Sequence, residues 1–220
     1  MENRVTEECL SIFNVNGSFR KVQKSKMLEK LSMQTITKPT PYTALVDMGL
    51  IWRIASPNTE DREKDDGLKY TWGDYSDKIV SIVLFRHVDA DTIICINDPY
   101  DQSYCIKDDE RDLRSQLQGV IPNVYMKRSE PFPLAKHFKT LLCSGANKMR
   151  LQELIKTAFC TAAQDTEKKL LYSVGSICID TKSGQSMDEF TFDQAEADTI
   201  LLSAYNKLRI TGYNGLVMIE

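Results

Sequence analysis

Histidine is nearly missing from this chain: only His87 and His137 occur among its 220 residues. With so few imidazoles, a histidine-rich metal centre or a Cys–His nucleophile pair is not expected. The six cysteines, at positions 9, 95, 105, 143, 160 and 178, contain no CxxC and no paired spacing. Cys95 and Cys178 sit inside apolar runs and read as reduced, buried thiols of an intracellular protein. No apolar stretch approaches the roughly 18 residues of a membrane span. The start, MENRVTEECL, is charged, so neither a signal peptide nor a membrane partner is expected. A basic excess is lacking as well: 28 Lys and Arg face 31 Asp and Glu, a net charge of −3. That balance excludes a passive, charge-driven nucleic-acid binder but leaves room for a local basic patch. Internal repeats and low-complexity tracts are absent.

What the chain does hold is a set of buried strands that end in acids. Thr92 to Ile96 are β-branched or Cys and carry no charge, the pattern of a strand covered on both faces. Asn97 and Asp98 follow, and Pro99 stops the strand. A charged helical segment with Lys107, Arg111 and Arg114 comes next. The same order occurs earlier. After the stiff linker Lys38-Pro39-Thr40-Pro41, a short strand over Tyr42–Val46 ends at Asp47 and an apolar helix runs through Trp52 and Ile54. Residues 58–67, with five acids and two bases, read as a solvated loop. Tyr75, Ile79, Ile82 and Val83 then recur at helical spacing, which predicts a helix that crosses between parallel strands.

Residues 1–38 are expected to form a helical extension, including a basic amphipathic helix around Val22, Met27, Leu28 and Leu31. The remainder, 39–220, is expected to be one α/β domain with a mostly parallel central sheet, flanking helices and a helical insertion. Within it, Val120, Ile121, Val124 and Tyr125 suggest a strand, and two helices follow, the longer with Leu151, Leu154, Ile155, Ala158 and Phe159 on one face. A strand is expected around Ser176–Ile179, before a turn at Lys182-Ser183-Gly184. Near the end, Asp193 is a candidate N-cap with Glu196 three residues on. Ala197, Ile200, Leu201, Ala204 and Leu208 make one stripe of that helix, Gly212 closes it, and YNGLVMIE begins another buried strand.

Parallel strands place their C-terminal ends on one edge, and the helices that follow begin there. Asp47, Asp98, Glu196 and Asp198 would then form one carboxylate cluster. Such a cluster is tolerable with bound cations, and oxygen ligands of this kind select Mg²⁺ or Mn²⁺. Two ions would activate water and stabilise both oxygens of a phosphodiester displacement. The layout resembles the flap-endonuclease/XPG-like 5′ nucleases within the wider PIN-like fold. Val46-Asp47 matches the family's V-D at the end of the first strand. IICINDPY, with Asp98, matches the second strand that ends in an acid, and Glu196-Ala197-Asp198 matches the E-A-E or E-A-D that opens a helix. Lys107 and Arg114 keep the family's spacing of seven between the Lys and Arg that contact the scissile phosphate. The match covers roughly residues 42–220 in order.

The resemblance implies a metal-dependent, structure-specific phosphodiesterase acting on DNA or RNA. Asp47, Asp98, Glu196 and Asp198 would hold the metal, Lys107 and Arg114 would serve the phosphate, and a nuclear location would be in keeping. Departures from the pattern point to an inactive or incomplete version. Asn97 replaces an apolar residue, Pro99 replaces a Gly, and the family's Asp-x-Asp pair would follow the strand that here ends at Glu220. The alternative is a catalytically silent interaction domain, or a fragment of a larger protein. Each residue also has a plain structural role open to it. Asp98 can start a turn, Asp47 can cap the helix after it, and Glu196 can complete a capping box with Asp193. Asp198 can favour the helix dipole, and KDDERDLR can be a salt-bridged, solvated face.

Overall fold

A computed structural model describes residues 41–56, 69–100, 121–133, 135–192, 197–211 and 216–219. The chain divides at Lys38/Pro39, and all of these residues belong to the unit that starts at Pro39. Its elements run β1 (Tyr42–Asp47), α1 (Met48–Ala55), α2 (Trp72–Arg86), β2 (Ala90–Ile96), α3 (Ala135–Leu141) and α4 (Gly145–Ala162). After them come β3 (Lys169–Val174), β4 (Ile177–Asp180), β5 (Ser186–Thr191), α5 (Ala197–Ile210) and β6 (Leu216–Ile219).

The strands form one sheet in the order β5-β4-β3-β2-β1-β6. β6, β1, β2 and β3 run parallel to one another, β4 pairs antiparallel with β3, and β5 pairs antiparallel with β4. An α/β fold with a mostly parallel sheet is what the sequence predicts. Strand periodicity then sorts the side chains onto two faces. Ala44, Val46, Ile93, Cys95, Leu170 and Tyr172 pack with Ile51, Val83, Phe138 and Ile155 of α1 to α4. Leu45, Ile94, Ile96 and Leu171 pack instead with Ile200, Leu201 and Ala204 of α5. The sheet is therefore covered on both sides, which is why its central strands carry no polar alternation.

Local signals start and stop these elements. Thr71 and Asp74 form a capping box at α2: the Asp74 main-chain N–H donates to Thr71 Oγ1 at 3.2 Å, and the Thr71 N–H donates to Asp74 Oδ2 at 2.8 Å. Ser144 caps α4 in the same sense, its hydroxyl accepting from the Asn147 N–H. The turn between β3 and β4 passes through Gly175 at φ +58°, a left-handed conformation that only glycine adopts without steric cost.

The strand expected around 120–125 does not form: residues 121–127 have no regular structure. Their backbone is satisfied by a side chain instead of a ladder. Buried Asn147 accepts from the Val124 N–H at 3.0 Å and donates to the Pro122 carbonyl at 3.0 Å. Further along, the Trp72 and Gly73 N–H groups donate to the carbonyls of Glu130 and Arg128. Phe132 packs its ring against Trp72 and Tyr75, with centroids 4.7 Å away in both cases. This segment is strapped across the start of α2 and held by both ends. Among the described residues no helix is long and apolar enough to cross a membrane.

Candidate functional site at the strand tips

Asp47 and Asp98 stand at the same edge of the sheet because their strands are adjacent and parallel. Asp47 is the last residue of β1 and is paired with Ile96, so Asp98 lies just beyond that pair on the neighbouring strand. Each carboxylate already has structural work. Asp47 is the N-cap of α1, and its Oδ1 accepts from the Gly49 N–H at 2.8 Å. Asp98 Oδ1 accepts from the Ala197 N–H at 2.7 Å, and its Oδ2 accepts from the Tyr100 hydroxyl at 3.2 Å. The Asp98 contact brings the first residue of α5 to the tip of β2. α5, with Asp198 in its first turn, therefore begins at this edge.

Two stitches fix the backbone around Asp98. The Asn97 N–H donates to Ser173 Oγ at 2.7 Å, and Asn97 Nδ2 donates to the Ser173 carbonyl at 2.7 Å. From the helical side, Gln152 Nε2 of α4 donates to the Asp98 carbonyl at 2.8 Å. Asn97, Gln152 and Ser173 are all buried, so Asp98 projects from a rigid polar floor. Burial also acts on the aromatic hydroxyls below. Tyr75 donates to the Trp52 carbonyl at 2.8 Å, and desolvation lifts its pKa far above the ordinary tyrosine range.

Above this floor opens a cleft of about 580 Å³. Asp98 and Gly49 line it beside the aromatic side chains of Trp52, Tyr100, Phe132 and Phe138. Among the described residues, three cationic side chains, Arg53, Lys139 and Lys148, share the wall with one carboxylate, that of Asp98. The Lys148 ammonium lies 4.4 Å from the centre of the Tyr100 ring, a cation–π contact that holds both at the mouth. So an acidic protein carries a basic, aromatic cleft at the C-terminal edge of its sheet. That is the position where open α/β sheets bind ligands.

Comparison with family models, curated proteins and solved structures returns no match to this chain. The site must be read from its own chemistry.

Of the residues expected to form it, Asp47 and Asp98 reach the edge as predicted. Lys107, Arg114 and Glu196 lie outside the described residues, as does the side chain of Asp198, whose backbone is in the first turn of α5. Among the described residues, no three of His, Cys, Asp and Glu gather where they would hold a metal ion. Two carboxylates do not by themselves make a Mg²⁺ or Mn²⁺ centre, because such ions need about six oxygen ligands. Sequence reasoning passed over Arg53, Lys139, Lys148 and Tyr100. They come from separate helices and a loop, and no spacing in the sequence marks them as neighbours.

Proposed function

We propose that this chain is a nucleic-acid-interacting α/β domain of the PIN-like, 5′-nuclease-like type. It takes single-stranded DNA or RNA in the strand-tip cleft and does not cut it. The observation that carries this reading is the pairing of Arg53, Lys139 and Lys148 with Trp52, Tyr100, Phe132 and Phe138 around one cavity. Cations recognise phosphates, and aromatic rings accept bases by stacking without regard to sequence. The silent character rests on the departures from the family's pattern at Asn97 and Pro99, and on Asp98, whose Oδ1 accepts from the first N–H of α5.

Fluorescence anisotropy with labelled single-stranded oligonucleotides tests the reading. With three cations engaged, log K should fall with log salt at a slope of about −2. The double variant Arg53→Glu/Lys139→Glu should weaken binding by about tenfold or more, since each removes a phosphate contact and adds repulsion. Binding that is absent, or unchanged in the double variant, removes the cleft from consideration.

A second reading is favoured by the convergence of Asp47, Asp98 and the start of α5: metal-dependent phosphodiester hydrolysis. Cleavage of the same oligonucleotides that requires Mn²⁺ and is lost in Asp98→Asn would establish it and refute the silent domain.

A further inference from the structure

The strand-tip cleft has the size of a pocket for one small ligand. Its volume of about 580 Å³ lies well inside the roughly 300–1,000 Å³ range of such pockets. Grooves that track a single strand hold about 4–16 nucleotides. The aromatic wall is limited in the same way. Trp52 and Phe138 are 6% and 4% exposed, so their rings belong to the core. Phe132 is half-buried, and its ring is engaged by Trp72, Tyr75 and Phe138, with centroids 4.7, 4.7 and 4.8 Å away. Tyr100 is half-buried at the mouth, where its hydroxyl donates to Asp98 Oδ2 at 3.2 Å and fixes the ring in place. Tyr100 is therefore the ring left to take a base, and one ring takes one base.

Charge points to the same size of ligand. Among the described residues that line the cleft, Arg53, Lys139 and Lys148 set against Asp98 leave two positive charges in excess. A phosphodiester inside a strand brings one negative charge, whereas a phosphomonoester brings about 1.5–2 at neutral pH. The cations also reach the stacking ring, since the Lys148 ammonium lies 4.4 Å from its centre. The start of α4 is beside it too: a Cβ built on Gly145 would stand 3.8 Å from Tyr100 Cβ. The first turn of α4 holds no acid, so the positive end of its dipole adds to the attraction for an anion.

We infer that the cleft takes one nucleotide carrying a phosphomonoester, with its base on Tyr100 and its phosphate among Arg53, Lys139 and Lys148. The phosphorylated end of a strand and a free nucleoside monophosphate both present this unit. The inference rests on the nucleic-acid reading of the cleft and narrows it from a run of strand to one terminal unit.

Fluorescence anisotropy on the unmodified chain, with chelator present, compares one single-stranded oligonucleotide in three forms: phosphorylated at the 5′ end, at the 3′ end, or at neither. One phosphorylated form should bind at least about tenfold tighter than the bare strand. That preference should vanish in Arg53→Glu/Lys139→Glu, where both residues are exposed and the fold is expected to survive. Tyr100→Ala should weaken the preferred form by about tenfold through loss of stacking. Competition by a nucleoside monophosphate as strong as by the phosphorylated strand supports the single-unit site and assigns it to free nucleotides; weak competition supports it and assigns it to strand ends. Equal binding of all three forms that is lost in the double variant overturns this inference and leaves a groove for continuous strand. Binding that no form shows, or that the double variant leaves unchanged, overturns the nucleic-acid reading itself. Should Tyr100→Ala fail to fold, the three forms on the unmodified chain decide alone.

Discussion

Asp98 is the residue at which a structural and a catalytic role make opposite forecasts, and substitution separates them. Its Oδ1 accepts from the Ala197 N–H at 2.7 Å, at the first residue of α5. Deleting an acceptor at a helix start costs about 1 kcal/mol. Losing a negative charge from the positive end of a helix adds about 0.3–1 kcal/mol. Asp98→Ala should therefore destabilise the protein by about 1.5–2 kcal/mol. Asp98→Asn keeps an oxygen for Ala197 and loses only the charge, so about 0.5 kcal/mol is expected. In a domain of this size, 1 kcal/mol moves Tm by about 2–4 °C, which puts the Ala variant about 3–8 °C below the parent. Urea denaturation gives the free energies, and a constant m-value shows that the unfolded state is unchanged. Equal stability of Asp98→Ala and the parent would refute the helix-capping role. A loss in Asp98→Asn as large as in Asp98→Ala would show that charge, not the hydrogen bond, is what matters.

Other substitutions test the parts that shape the cleft. Asn147→Ala removes the acceptor for the Val124 N–H and the donor to the Pro122 and Leu141 carbonyls, all from a fully buried position. A loss of about 2–4 kcal/mol is expected, seen by urea denaturation together with faster proteolysis within 121–133. Gly73→Ala would place a Cβ 2.8 Å from the Arg128 carbonyl oxygen, a backbone atom that cannot turn aside. Lifting the strap from α2 should cost about 1–3 kcal/mol and alter Trp72 fluorescence; an unchanged Tm would contradict the close approach. Burial pushes the Cys178 thiol up to about 12 and raises Cys95 further still. Both should resist alkylation until the protein unfolds, whereas the more accessible Cys143 reacts in the native state. The folded state holds the Cys178 proton more tightly than the unfolded state. Its contribution is thus complete below the ordinary thiol value near 9 and is lost as pH rises from there through about 12. Stability that is flat across this window would refute the burial of these thiols.

The sequence made the centre of this fold legible and its margins obscure, for physical reasons. Residues 92–96 could be read because a strand buried on both faces must be apolar throughout, and β2 is such a strand. The stripe Ala197, Ile200, Leu201, Ala204 and Leu208 could be read because α5 covers its face of the sheet with just those residues. β5 gave no comparable signal. Of its six residues only Phe190 is buried, and Asp188 and Glu189 keep the edge charged, as an edge strand must be to avoid pairing with other chains. β3 was hidden because its apolar residues run into the hairpin at Gly175, where a single strand was expected to begin at Ser176. The segment 121–127 has strand-like composition, but Asn147 supplies the hydrogen bonds that a neighbouring strand would have given.

The candidate site divides along the same line. Acids at strand tips are visible in a sequence because β1 ends in Asp47 and Asp98 follows two residues after β2, and parallel pairing does the rest. Cations that reach a cleft from the sides of α1, α3 and α4 are invisible, since only packing brings them together. Asn97 is the instructive case. Set against the family pattern it is a flaw, an amide where an apolar residue belongs. In the fold it meets a local demand, because an apolar side chain there cannot donate to the Ser173 carbonyl. Position 97 and Ser173 therefore have to be considered as a pair. A variant with Asn97→Val alone leaves a buried carbonyl without its donor and should be destabilised by about 1–3 kcal/mol. If that variant were instead more stable than the parent, the stitch from β2 to β3 would not be what holds Asp98 in place.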